Sequence, residues 1–188
     1  MARGLRCVVV LAGLLAVACA GPARTPPPTA PAVDLARYAG TWYEIARLPA
    51  FFQRDCVASW AQYTLRPSGI VDVTNGCRTR DGRERRVDGE ARVVEAGRNA
   101  RLLVRFDTWF AFLMPAPRDG NYRILDVTPD YDAAIAGTLD RGYLWLLART
   151  PHPAPEHYAA MVERARSLGF AVDRLVRDDW SGGRAPAR

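Results

Sequence analysis

Few residues of this 188-residue chain could do chemistry. All of its 26 basic residues are arginine, which excludes Schiff-base chemistry and a phosphate-loop lysine. The two histidines, His152 and His157, are five positions apart and do not share a helix face as i,i+4 metal ligands do. No G-x-S-x-G, H-E-x-x-H or glycine-rich phosphate loop is present. The chain is therefore expected to be no enzyme, with no catalytic residue, metal or cofactor. The formal charge of +6 is read as an effect of composition, and no nucleic-acid partner is expected. Hydrophobic residues make up 49% and charged residues 24%, a balance that excludes disorder over the whole length.

The four cysteines carry the clearest chemistry. Arg3 and Arg6 precede an apolar run, Cys7 to Ala18, that is too short to span a bilayer and reads as a signal peptide over residues 1–18. Its end, Leu15-Ala16-Val17-Ala18-Cys19, resembles a bacterial lipobox, in which Cys19 becomes the lipidated N-terminus; the alternative is an ordinary signal cut near Ala18 or Ala20. Either way the chain is exported. Residues 19–33 then read as a tether, with Pro22, Pro26, Pro27, Pro28 and Pro31 favouring polyproline II. Such a spacer would reach about 40 Å at roughly 3.1 Å per residue. Ala20 after the cysteine, by resemblance to lipoproteins of Gram-negative bacteria, implies the outer membrane. Cys56 and Cys77 remain, in an oxidising compartment where a disulfide persists.

The elements that must position these residues read as a β-meander followed by one helix. Strands are expected at Thr41–Arg47, Val57–Leu65, Ile70–Cys77, Arg86–Glu95, Arg101–Thr108, Tyr122–Val127, Asp132–Thr138 and Tyr143–Arg149. Turn residues such as Arg66-Pro67-Ser68-Gly69 and Asp140-Arg141-Gly142 separate them. Eight strands with short links predict an antiparallel sheet, and closure into a barrel removes its edges. Pro155 opens a helix whose stripe of Tyr158, Met161, Val162, Ala165 and Leu168 packs on the barrel wall, and Gly169 ends it. Phe170, Val172 and Leu175 are expected in a short closing strand. Residues 34–180 form the domain, and 181–188 read as a disordered tail.

Three motifs carry a family resemblance. Gly40-Thr41-Trp42, within Leu35 to Arg47, resembles the G-x-W opening of lipocalins. The stretch from Leu125-Asp126 to Tyr131 resembles, more loosely, the middle motif of that family. Tyr143 to Pro151, with Arg149, resembles the third. Within the family the chain is most similar to the bacterial outer-membrane lipoprotein lipocalins, which also resemble apolipoprotein D. The resemblance implies an eight-stranded antiparallel up-and-down barrel with a C-terminal helix on its wall. It also implies that Trp42 lies inside near the closed end with Arg149 across it, so that Gly40, Trp42 and Arg149 are structural.

That placement sets the strand parity. Trp42, Glu44 and Ala46 should face inward on the first strand, and Tyr143, Trp145 and Leu147 on the last. Glu44 is the one acid expected inside, and it needs a partner there. Extended to the other strands, the same alternation gives the pocket wall Ala61, Tyr63, Val73, Asn75, Ala91, Val93, Leu102, Val104, Phe106, Tyr122 and Ile124. The links after the first, third and fifth strands place Phe51 and Phe52, the arginines Arg83 and Arg85, and Trp109 and Phe110 at one mouth. Apolar residues beside a basic turn suit an amphiphile, its chain entering the barrel and its headgroup meeting Arg83 and Arg85. Cys56 and Cys77, almost symmetric about the Arg-Pro-Ser-Gly turn, should face each other across a hairpin. The function implied is binding, storage or transport of a fatty acid or lysophospholipid, with a role in membrane maintenance or stress. The alternatives are a carrier of an aromatic or tetrapyrrole ligand and a structural envelope lipoprotein with a filled barrel.

Overall fold

The computed structural model describes residues 25–108 and 117–182. Eight antiparallel strands follow one another around a barrel: β1 (Gly40–Arg47), β2 (Cys56–Leu65), β3 (Val71–Thr79), β4 (Glu84–Val93), β5 (Arg101–Phe106), β6 (Tyr122–Val127), β7 (Ala133–Gly137) and β8 (Leu144–Ala148). Neighbours in sequence pair in space. β1 closes the ring by pairing with β2 through Gly40–Tyr43 and with β8 through Tyr43–Arg47. No strand of the eight keeps a free edge, as the short links predicted. Each expected strand is present, its ends shifted by no more than two residues.

The two faces of the strands feed two cores. Trp42, Tyr63, Val73, Leu102, Ile124 and Leu147 belong to the interior cluster. Leu125, Ile135, Leu144 and Leu146 point the other way and meet Met161, Ala165 and Leu168 of helix α2 (Pro155–Ser167). The helix ends as expected at Gly169, whose φ of +83° an L side chain rarely adopts. Leu146 is fully buried, but under the helix and not in the barrel. Leu146→Ala is therefore expected to lower the unfolding free energy by about 2–5 kcal/mol while leaving ligand affinity unchanged. Urea unfolding and a ligand titration on the same variant check both halves of that statement.

Three expectations are corrected. Phe170, Val172 and Leu175 pack in the helix cluster instead of forming a strand. The chain turns there, and only Val176–Arg177 forms a short strand, β9, beside Ala46 and Arg47. Ala46 faces the helix cluster, not the interior. A bulge between Glu44 and Ala46 inserts one residue and reverses the parity beyond it. Residues 25–33, expected as free tether, lie along the barrel. The Thr25 carbonyl accepts from Arg141, the Ala30 N–H donates to Ile124, and the Val33 N–H donates to Arg98. Ala30, Val33 and Pro27 are buried, because the apolar faces of a proline-rich strand suit a hydrophobic wall as well as solvent. Asp34 then caps a single-turn helix, α1 (Leu35–Tyr38), that the sequence reading did not anticipate.

The bond between Cys56 and Cys77 joins β2 to β3, with Cα atoms 5.7 Å apart. It staples the end of the barrel where β1 runs into β2.

Candidate ligand-binding site

Among the described residues the barrel is closed at one end and open at the other. Gly40, α1, the β4–β5 link and Arg149 gather at the closed end. Trp42 is fully buried there, and its Nε1–H donates to the Tyr38 carbonyl at 2.8 Å. The Arg149 guanidinium lies 3.8 Å from the Trp42 ring centroid. It also donates to the carbonyls of Thr41, Arg37, Tyr38, Ala39 and Tyr131, at 2.8–3.2 Å. Gly40, at φ +98°, gives that guanidinium room; a Cβ there would sit 3.3 Å from it. The middle segment joins the same knot, since the Tyr131 hydroxyl accepts from the Asp34 N–H and Arg37 covers its ring. All three sequence motifs thus converge on one end, and what they build is a floor.

Above the floor the interior is an aromatic column. Tyr38 packs on Trp42 with centroids 5.0 Å apart and on Tyr63 at 5.5 Å. Tyr63 lies 6.4 Å from Tyr122, Tyr122 stacks on Trp145 at 6.1 Å, and Trp145 stacks on Tyr143 at 6.0 Å. Tyr143 meets Phe52, and Phe52 meets Phe51, at the open end. The hydroxyls of Tyr38 and Tyr63 both meet that of Tyr122, at 2.9 and 3.2 Å. Burial holds Tyr63 up at about 12 and raises Tyr38 and Tyr122 as well, so all three stay neutral donors and acceptors. Small residues, Ala61, Ala91, Ala134 and Ala136, line the same interior. Asn75 adds a buried carbonyl oxygen, Oδ1, that no group among the described residues satisfies.

Toward the open end sits a charged cluster. Glu44 is buried, ion-paired to Arg47 at 2.9 Å, and accepts from Gln53 Nε2 at 3.0 Å. Gln53 Oε1 accepts in turn from Trp145 Nε1–H at 3.1 Å. Arg47 also pairs with Asp178, whose second oxygen accepts from the Ser59 N–H at 2.6 Å. One arginine thus faces two buried carboxylates. Burial, and for Asp178 the neighbouring Glu44 charge, raise both carboxyls above their ordinary values. Each then holds its proton more tightly folded than unfolded. The resulting stabilisation is complete at acid pH and is lost as pH rises through the folded values. Glu44→Gln removes one of the competing charges. Its stability relative to the parent is expected to rise as pH increases above the ordinary carboxylate range, as measured by urea unfolding at each pH.

The expected site residues divide in four. Tyr63, Val73, Val104, Phe106, Tyr122 and Trp145 pack in or against the interior cluster. Asn75 follows Val73 on the same face of β3, and Tyr143 stacks on Trp145. Phe51 and Phe52 sit on a short 3-10 turn, 70% and 50% exposed, in the first link at the rim. Arg83 and Arg85 are not free cations: Arg83 pairs with Asp81 at 2.5 Å and Arg85 with Asp55 at 3.3 Å. The cause is the acidic residue within reach of each exposed arginine. Trp109, Phe110 and Cys19 lie outside the described residues.

Sequence reasoning missed Tyr38, Arg47, Gln53 and Asp178. Tyr38 stood in the quoted motif, four residues before Trp42, a helical spacing that was a usable signal. Arg47 turns inward only because of the bulge. Asp178 arrives from behind the helix, and no local pattern marks it.

The family sequence model described as "Lipocalin-like domain" matches residues 33–179. The chain is 36% identical over 151 residues to temperature-induced lipocalin-1 of Arabidopsis thaliana, covering 79% of this chain and 80% of that protein. It is also 36% identical over 172 residues to outer membrane lipoprotein Blc of Citrobacter freundii, covering 89% and 91%. Identity alone therefore does not separate the bacterial branch from the plant one. The crystal structure of the cockroach allergen Per a 4 superposes with a TM-score of 0.59 at 18% identity, covering 84% of this chain and 93% of that one. At that identity the likeness concerns the fold alone.

Proposed function

The chain belongs to the lipocalin family, and on that premise we propose that it is an exported, lipid-anchored carrier of a single-chain amphiphile. A fatty acid or a lysophospholipid is the class of ligand. The observation that carries this reading is the continuous aromatic lining, open at the Phe51–Phe52 end and floored by Tyr38 and Trp42. An acyl chain would lie end-on along such a lining. At about 0.8 kcal/mol per buried methylene, some ten methylenes offset a micromolar association of about 8 kcal/mol. The tyrosine hydroxyls, the Asn75 oxygen and the Gln53–Glu44 pair supply the polar contacts that orient a ligand along the barrel.

Anchoring rests on Leu15-Ala16-Val17-Ala18-Cys19 and on similarity to a protein named as an outer membrane lipoprotein. The same two supports favour the outer membrane of a Gram-negative bacterium. A second reading is favoured by the stacked Tyr122, Trp145 and Tyr143 rings, which suit a planar aromatic or tetrapyrrole ligand.

The deciding experiment is a titration of the chain lacking residues 1–19 with fatty acids and lysophospholipids, followed by tryptophan fluorescence. Saturable one-site binding below the micelle concentration is expected. A folded, delipidated chain that binds no amphiphile but takes up a planar aromatic supports the second reading. A chain that binds neither has a filled barrel and overturns both.

A further inference from the structure

Among the described residues, the exposed large hydrophobic side chains are Phe51, Phe52, Leu139 and Val176. All four lie at the open end. Phe51 and Phe52 are in the β1–β2 link, and Leu139 is in the β7–β8 turn beside it. Val176 pairs with Arg47 where β1 ends. Leu48 bonds to Leu144, and Phe52 packs on Tyr143, which ties the two links together. Single exposed apolar residues are ordinary, but four gathered at one end mark an interaction surface.

The chain outside the described residues leaves from the same end. Arg141, in the β7–β8 turn, donates to the Thr25 carbonyl at 3.0 Å and to the Leu168 carbonyl at 2.8 Å. Thr25 is six positions after Cys19. Fully extended, that stretch spans at most about 20 Å.

We propose that the open rim docks on a phospholipid bilayer, with Phe51, Phe52, Leu139 and Val176 in the interface, so that the barrel mouth faces the membrane. The inference rests on the anchoring at Cys19 proposed above: an acyl group there, on so short a leash, holds this end and not the floor against the lipid. Charge has little part in it. Arg54, Arg80, Arg83 and Arg85 share this end with Asp55, Asp81 and Glu84, and Arg83 and Arg85 are ion-paired. Docking is therefore driven by apolar burial, equal on zwitterionic and anionic bilayers and insensitive to salt. A mouth held against the bilayer would let a single-chain lipid pass between membrane and barrel without crossing water.

The test is depth quenching of the full chain reconstituted in phosphatidylcholine vesicles that carry brominated acyl chains. Phe52→Trp places a reporter at the rim, and Arg98→Trp, on the exposed β4–β5 link, places one at the floor. The added emission of Phe52→Trp is expected to be quenched several-fold more than that of Arg98→Trp, and to remain so in molar salt. Equal or reversed quenching overturns the proposal, as does its loss in salt. Sedimentation without lipid provides a further check: if the chain self-associates and Phe51→Ser with Phe52→Ser abolishes this, a second copy covers the rim and the proposal fails. Quenching by a brominated fatty acid without vesicles tests the ligand reading separately, so the two failures are distinguishable.

Discussion

Arg149→Met is expected to lower the unfolding free energy by about 3–5 kcal/mol. The methionine keeps the length of the stem and removes the guanidinium. Two losses add. The stack on the buried Trp42 ring, 3.8 Å from the cation, contributes about 0.5–2 kcal/mol. The carbonyls of Thr41, Arg37, Tyr38, Ala39 and Tyr131 lose a shared charged donor, and each one that water cannot reach costs about 1–3 kcal/mol. Those carbonyls belong to α1, β1 and the β6–β7 link, so the variant also loosens how the floor is tied together. Trp42→Ala should cost a similar amount, about 3–5 kcal/mol, because its whole side chain is buried. The double variant should cost less than the sum, by the shared stack. Additive losses in urea unfolding would mean that the stack contributes nothing and that the carbonyl bonds carry the floor alone.

Trp145→Ala is expected to weaken amphiphile binding by about 10- to 50-fold, the loss of about 1.5–2.3 kcal/mol of apolar contact. Trp145 stands midway in the column, stacked on Tyr122 and Tyr143, and is only partly buried. A ligand entering from the rim must pass it. Trp145→Phe should restore most of the affinity, since it keeps a ring and loses only the bond to Gln53. Circular dichroism shows whether the barrel stays folded, and isothermal titration reads the affinity. Unchanged affinity in a folded Trp145→Ala protein would put the ligand elsewhere.

Much of this geometry was legible in the residues. Alternation set the faces of β2, β3 and β8, and it placed Tyr63, Val73 and Leu147 inside while Leu144 and Leu146 went to the helix. The helix stripe and its glycine stop were equally readable, because both are local properties of period and backbone conformation. The parity argument failed at one place, Ala46, and for one reason. A bulge adds a residue that the alternation cannot register, so the count was correct up to Glu44 and inverted after it. The rim arginines show a second limit of local pattern. A run of arginines reads as free positive charge, but Asp55 comes from another link to pair with Arg85, a contact thirty residues distant in sequence.

The sequence by itself determined what depends on neighbours along the chain: eight strands, helix α2, and which residues share a face. It also determined the family, because the three motifs are local strings. Only the tertiary structure decided that those motifs meet in one floor and that the tyrosine hydroxyls converge above it. It alone brought Asp178 back to share Arg47 with Glu44, and it alone sent Thr25 to the mouth. The physical reason is closure. Once a sheet returns to its first strand, residues far apart in sequence must pack into the same interior. Their charges and hydroxyls are then satisfied by one another, in combinations that no local pattern encodes.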